Sequence, residues 1–485
     1  MKLSVQKCCS LLQAKYNGLP SEVIIDTITI DSRSLQNSTS TLFFALEGPN
    51  NDAHQYIQEL ISKGVQYFVV THIPDNCQGK ANFLVVKNTL LALQKLAGYY
   101  RSQFHFPIIG ITGSNGKTIV KEWLNFLLSP DYSIIRSPKS YNSQVGVPLS
   151  VIGINEQHNF GIFEAGISTV SEMEKLESII RPTIGILTNI GSAHDEGFAN
   201  ANEKIKEKLR LFKHAQIVIY PKSDAIDKLI RPNLKTVSWS FTDPKADVLV
   251  AKKQQDSLTQ LHFTSATENF DIAIPFQDEA SIENAISCVL VLLYLEYDAK
   301  TIQNRMAQLY PVEMRLKLKN GINNCTLIDD SYSADFQSLK IALDFLESQK
   351  QSTNKTIILS DIFQSGLADH ELYSRVAQLI VANKITRVIG IGAVISQFKN
   401  QFKKDIFENT AFKEVKNSIA KINSLGYSSQ VNPREINCFY LEKNIRTRIE
   451  KKDSHFELVG TEKKLSDFEL LDLIENNPEK INKGS

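Results

Sequence analysis

What this sequence has little of sets its first limits. Six cysteines in 485 residues (Cys8, Cys9, Cys77, Cys288, Cys325 and Cys438) lack metal-ligand spacing. That excludes a disulfide-stapled scaffold and points to a reducing compartment. No apolar run approaches the ~20 residues needed to span a bilayer. Gln6, Lys7 and Gln13 interrupt the apolar residues near the start, so no signal-peptide core forms. Neither sign of charge is in excess: 54 Lys and Arg face 53 Asp and Glu, a net charge of +1. Such a balance favours neither nucleic acid nor an anionic membrane as partner. Internal repeats and low-complexity tracts are also missing. A cytoplasmic, monomeric enzyme is expected, and 485 residues at ordinary domain sizes suggest about three domains.

What is present is organised around Ile108-Ile109-Gly110-Ile111-Thr112-Gly113-Ser114-Asn115-Gly116-Lys117-Thr118. An apolar run enters a glycine-rich turn, and a helix-period segment follows (Val120, Trp123, Leu124, Leu127). Strand, glycine loop and helix N-terminus together form a phosphate cradle, because backbone N–H groups and the helix dipole both favour an anion. Lys117 can reach the β- and γ-phosphates, and the Thr118 hydroxyl suits Mg²⁺. Only Ser114 and Asn115 separate Gly113 from Gly116, so the loop is a shortened variant. Gly-Asn-Gly clusters also serve as plain turns; the flanking strand and helix, with Lys-Thr in place, favour nucleotide binding.

Before the loop, residues 1–105 read as a small α/β domain. Strands are expected at Val23–Ile30, Leu42–Leu46, Tyr67–Val70 and Phe83–Val86, with a helix over Leu90–Tyr100. Asp31, Ser32 and Arg33 follow a strand. Arg33 could grip a diphosphate through its forked guanidinium, but alone these residues read better as an Asx-turn beside a solvated arginine. After the loop, residues 106–312 carry a strand ending at Glu164, a carboxylate placed to hold Mg²⁺. The next strand, Ile184–Leu187, delivers Thr188-Asn189-Ile190-Gly191 and then His194, which these residues leave open between a ligand and a loop histidine. Lys204, Lys206 and Lys208 with Glu203 and Glu207 read as a solvated helix face. Gln216–Tyr220 is another strand, and Ser281–Tyr294, carrying Asn284, is a buried helix. From 313 to 485 a second alternation of strands (326–328, 356–359, 387–391) and helices predicts a Rossmann-like parallel sheet. Ser466-Asp467-Phe468-Glu469 reads as a capping box opening a short amphipathic helix.

The order of these pieces resembles the Mur ligase family, the ATP-dependent amide-bond formers of peptidoglycan precursor synthesis. The resemblance covers about residues 25–395. It rests on Asp31-Ser32-Arg33, Leu42–Gly48, Thr112–Thr118, Tyr141-Asn142-Ser143, Gly146–Leu149, Glu164-Ala165-Gly166, Thr188–Gly191 with His194, Asn284-Ala285, Met314-Arg315 and Ile328–Tyr332. It implies three α/β domains: a uridine-nucleotide domain, a central P-loop ATPase-like sheet and a Rossmann-like domain for the incoming amine. The implied substrates are ATP, UDP-N-acetylmuramoyl-tripeptide and D-alanyl-D-alanine, joined through an acyl phosphate. By the same resemblance, Gly113 to Thr118, Asn284, Arg315 and Asp330 contact ATP, and Asp31, Ser32 and Arg33 meet the uridine nucleotide. Thr118, Glu164 and His194 hold Mg²⁺, and Lys117, His194 and Lys208 serve catalysis. Lys208 stands where the family carries a carbamylated lysine.

Residues 137–143 and 359–366 are similar to a Bacteroidetes-type branch in which the ligase is fused to alanine racemase; a ligase alone is expected here. Ser143 and Ser333 depart from the family pattern, and a late Lys-Gly-Ser/Ala-Arg turn has only Lys443-Asn444-Ile445-Arg446 as a counterpart. The competing readings are a related ligase with another amine, such as a folylpolyglutamate-synthase-like or cyanophycin-synthetase-like enzyme, and a nucleotide-binding relative without turnover.

Overall fold

The structure is a computed structural model. It describes residues 2–33, 38–48, 51–191, 195–255, 258–266, 269–312, 317–320, 326–330, 335–348, 355–362, 365, 367–402, 407–410, 439–442, 448–452 and 455–459. Three larger α/β sheets follow one another along the chain.

The first has five strands: β1 (Lys15–Asn17), β2 (Thr27–Thr29), β3 (Thr41–Phe44), β4 (Tyr67–Val70) and β5 (Asn82–Val85), in the order β1-β5-β4-β3-β2. Only the β1–β5 pairing is antiparallel. β3 and β4 are buried at every position, as expected of strands covered on both faces. Helices α1 (Val5–Leu12) and α2 (Thr89–Arg101) flank it, α2 opening on an Asn88 side-chain cap to the Leu91 N–H at 2.8 Å. The single strand expected over Val23–Ile30 is corrected. Ile24–Ile25 pairs with Leu3–Ser4, while β2 joins the main sheet, so the chain changes partners at Asp26.

The second sheet runs β7-β8-β6-β9-β10-β11-β12-β13-β14. Its strands are β6 (Ile108–Thr112), β7 (Ile134–Arg136), β8 (Phe160–Glu164), β9 (Ile184–Leu187), β10 (Ile217–Pro221), β11 (Lys235–Ser240), β12 (Val248–Gln255), β13 (Leu258–Ser265) and β14 (Asn269–Ile274). Pairing is parallel as far as β12 and antiparallel beyond it. Side chains alternate between two cores. Ile109, Ile111, Ile162 and Ile186 face α3 (Lys117–Leu128) and α5 (Glu279–Tyr294), while Ile108, Phe163 and Leu187 face the opposite core. The third sheet follows the order β15-β16-β20-β17-β18-β19. These are Lys317–Asn320, Thr326–Asp329, Phe439–Glu442, Lys355–Ser360, Arg387–Ile391 and Phe407–Thr410, numbered β15, β16, β20, β17, β18 and β19 in that spatial order. β17, β18 and β19 are parallel, and β20 runs antiparallel between β16 and β17. Lys443–Arg446 and the helix expected after Ser466 lie outside the described residues, as does Ser333.

Candidate functional site

The strands nearest the glycine loop end together, and their register puts the loop, Glu164 and Thr188 at one edge. Ile111 pairs with Glu164, and Thr112 with Leu187. The loop is cut to fit its surroundings. Gly113 has φ 145° and Gly116 φ 84°, both in the region that favours glycine. A Cβ at Gly113 would sit 2.0 Å from Thr188 Oγ1, and one at Gly116 would sit 2.2 Å from Asn284 Oδ1. Asn284, from the buried helix α5, therefore packs against the loop. The segment after β9 braces its other side. Ser114 N–H donates to Asn189 O at 2.9 Å, Asn115 N–H to Asn189 Oδ1 at 2.9 Å, and Gly191 N–H to Ser114 Oγ at 2.8 Å. α3 starts with no side-chain cap, so its first N–H groups stay available to an anion. Lys117 folds back over the loop, donating to Gly113 O and Ser114 O at 2.9 Å each. Asn115 Nδ2 is buried and has no hydrogen-bond partner among the described residues.

Glu164 is fully buried at the end of β8. Its Oε2 accepts from Thr118 Oγ1 at 3.1 Å, and Thr118 Oγ1 lies 3.0 Å from Ser140 Oγ. Oε1 has no hydrogen bond of good geometry and faces the Lys121 ammonium at 3.0 Å. A hydroxyl beside the Oε2 of a buried carboxylate suits a hard divalent cation, so the residues present fit Mg²⁺.

Lys121 was not singled out in the sequence. It lies on α3 one turn beyond Thr118 and is completely buried. Its position within the apolar stripe of α3, among Val120, Trp123 and Leu124, is the signal that could have found it.

α4 (Ala201–Leu209) corrects the solvated-face reading. Lys206 is exposed, but Lys204, Glu207 and Lys208 are buried. Asn200 caps the helix on the Glu203 N–H, and the buried Leu211 and Phe212 anchor its end. Lys208 Nζ donates to Gly113 O at 3.0 Å. Burial, then the charges of Lys117 and Lys204, push its amine well below the usual lysine range. Lys204 Nζ donates to Gly191 O and to Asp195 Oδ1 at 2.6 Å each. Three lysines thus converge on the loop and its brace.

The third sheet approaches the same place through α6 (Phe336–Ser348): Ser338 Oγ lies 3.5 Å from Asn115 Oδ1. Asp330, just past β16, is buried. His194 and Arg315 lie outside the described residues. Asp31, Ser32 and Arg33 lie in the turn after β2 of the first sheet, and among the described residues no hydrogen bond or ion pair joins them to the loop. The Asx-turn is present, with Arg33 N–H donating to Asp31 Oδ1 at 3.0 Å. The guanidinium forks onto the same carboxylate at 2.9 Å and 2.9 Å, while 77% of its side chain is exposed. The Arg33 hydrogen bond, working against partial burial, holds the Asp31 carboxyl below its ordinary range. Elsewhere, Glu47, His54 and His72 bring three ligand-type atoms within 4.8 Å of one another. Both His54 nitrogens are already engaged, Nδ1 with Asp52 at 2.6 Å and Nε2 with the Thr71 N–H at 3.1 Å. That histidine ties a loop to the sheet rather than waiting for an ion.

Residues 111–292 match the Mur ligase middle domain, and residues 321–483 match the N-terminal Rossmann-like domain of the bacillithiol biosynthesis protein BshC. The chain is similar to the UDP-N-acetylmuramoyl-tripeptide–D-alanyl-D-alanine ligase of Rickettsia prowazekii. The two are 29% identical over 381 residues, 76% of this chain and 84% of that protein. To the Haemophilus influenzae protein of the same name it is 26% identical, covering 82% of this chain and 88% of the other. Among solved structures, MurF from Acinetobacter baumannii superposes with a TM-score of 0.73 at 23% identity, covering 89% and 94% of the two chains. The MurF ligase of Thermotoga maritima, solved with ADP, superposes with a TM-score of 0.65 at 18% identity, covering 80% and 94%.

Proposed function

We propose that this chain, which belongs to the Mur ligase family, is the ligase that adds D-alanyl-D-alanine to UDP-N-acetylmuramoyl-tripeptide at the expense of ATP. The observation that carries the reading is the convergence of Lys117, Thr118, Glu164 and Lys208 on one glycine loop. The γ-phosphoryl group of ATP passes to the terminal carboxylate of the tripeptide. The D-alanyl-D-alanine amine attacks the acyl phosphate, and phosphate leaves.

In this reading Lys117 leaves the loop carbonyls for the phosphates, and the first N–H groups of α3 stabilise charge on the transferring group. Asn284 holds the loop from behind, and Asn115 Nδ2 offers a desolvated donor. Mg²⁺, when bound, neutralises phosphate charge; Thr118 and Glu164 would hold it, and the reading keeps His194 as a further ligand. Lys208 is proposed to carry a carbamate: its neutral amine adds CO₂ and releases a proton. The low amine pKa supports this, because only the unprotonated amine is a nucleophile. A plain amine at Lys208 in a metal-loaded crystal would reject it. Asp330 and Arg315 complete the nucleotide contacts, and Asp31, Ser32 and Arg33 receive the uridine nucleotide. Division at 105 and 312 gives each substrate its own domain. Cytoplasmic location and a monomeric state belong to the same proposal; no described helix is long and apolar enough to cross a membrane.

The test is phosphate release with ATP, Mg²⁺, UDP-N-acetylmuramoyl-tripeptide and D-alanyl-D-alanine, each omitted in turn. Release that needs all four, with the pentapeptide product detected by mass, is expected. Release with another amine in place of the dipeptide would favour a different member of the family.

A further inference from the structure

The charges around Glu164 form a chain that the nucleotide reading does not use. Arg136 Nε donates to Glu122 Oε2 at 3.1 Å, and Glu122 Oε1 lies 3.0 Å from Lys121 Nζ. Lys121 Nζ lies 3.0 Å from Glu164 Oε1, and Thr118 Oγ1 donates to Glu164 Oε2 at 3.1 Å. Positive and negative groups alternate from the half-exposed Arg136 to a buried carboxylate. Lys121 is fully buried, and it is the cation within ion-pair distance of Glu164 among the described residues. Its ammonium also donates to Ser137 O at 2.8 Å and to Lys139 O. Those carbonyls belong to the turn in which Lys139 takes φ 49° and which delivers Ser140 to Thr118. Ser137 Oγ in turn accepts the Glu164 N–H at 3.2 Å.

We infer that Lys121 is the positioning residue of the metal-holding carboxylate. Its ammonium is anchored on two turn carbonyls and sits between Glu122 Oε1 and Glu164 Oε1, so the ion pair holds one oxygen of Glu164 in place. Oε2 is left turned toward Thr118, where a cation on the phosphates would meet both. The same ammonium fixes the turn that carries Ser140. A buried carboxylate without this counter-ion loses both its compensation and its direction. This inference rests on the nucleotide site proposed above and deepens it. Lys121 touches neither substrate nor metal; it acts through Glu164.

The experiment measures binding of the non-hydrolysable analogue AMPPNP to the full chain by calorimetry, across Mg²⁺ concentrations and in EDTA. In folded K121M the Mg²⁺ concentration for half-maximal binding is expected to rise at least tenfold, with metal-free binding within about twofold of the parent. K121R, which keeps the charge, is expected to recover most of the loss. An unchanged or lowered Mg²⁺ requirement in folded K121M overturns the inference, since a merely structural lysine would leave this ratio unmoved. If K121M does not fold, a crystal of the parent chain with Mg²⁺ and AMPPNP decides. Glu164 bound through Oε2, with Lys121 still on Oε1, is the expected arrangement; Lys121 swung away from Glu164 overturns the inference. Failure of the parent chain to bind AMPPNP at all would instead overturn the nucleotide site itself.

Discussion

At the scale of single residues, the site works by having little room. Gly116 is held between its positive φ and the Asn284 amide, so G116A must displace one or the other. AMPPNP binding measured by calorimetry is expected to fall at least tenfold in this variant while the chain stays folded. K117M removes the side chain that rests on two loop carbonyls beside the helix N-terminus. Loss of such a preorganised donor lowers turnover by about 10²–10³-fold, and steady-state phosphate release reads it directly. Lys121 shows the limit of reading residues by type. A lysine four positions past the loop lysine looks like a surface charge on a helix; its complete burial is visible only once β8 and the 137–140 turn pack against α3.

At the scale of elements, α4 and α5 carry the clearest consequences. Asn200 satisfies an N–H at the start of α4, which positions both Lys204 and Lys208. N200A is expected to cost about 1 kcal/mol, seen as a lower urea midpoint with unchanged slope. On α5, burial and then the neighbouring Glu279 charge push the Glu283 carboxyl up from its ordinary 4.5 to about 7. The folded chain therefore keeps a proton that the unfolded chain gives up. The associated stability is fully present below about pH 4.5 and is lost as pH rises through about 7, on the order of 3 kcal/mol. E283Q should flatten that slope in denaturant titrations at pH 5 and 8; an unchanged slope would place the titration elsewhere. The elements also show how far local pattern carries. Strand Arg387–Ile391 matches its expected bounds, and helix Ser281–Tyr294 starts only two residues earlier, at Glu279. β1–β5 and β20 pair antiparallel within largely parallel sheets, which no period along the chain reveals.

For the whole molecule, the third sheet reaches the loop through Ser338 and Asn115. Nucleotide at a hundred times its Kd should stabilise the fold by about 2.7 kcal/mol. If α6 closes on the nucleotide, hydrogen-exchange protection should extend from 113–118 to 336–348. Protection confined to the loop would mean that closure waits for another substrate. Such closure has a chemical purpose, since an acyl phosphate must be kept from water.

The order of residues along the chain was enough to set the cradle, the parallel part of the central sheet and the position of Glu164 at a strand end. Each depends on local order: an apolar run, a glycine turn, a helix period. Which charges are buried is settled by contacts that form on folding. Lys204 and Lys208 share a helix with the exposed Lys206, and composition cannot tell them apart. Their burial depends on a helix face turned toward a loop about ninety residues earlier, and on Asp195 and the carbonyls of Gly113 and Gly191 that receive them there. The charge of a side chain is written in the sequence; the cost of removing its water, and what compensates it, is set by neighbours that only folding supplies.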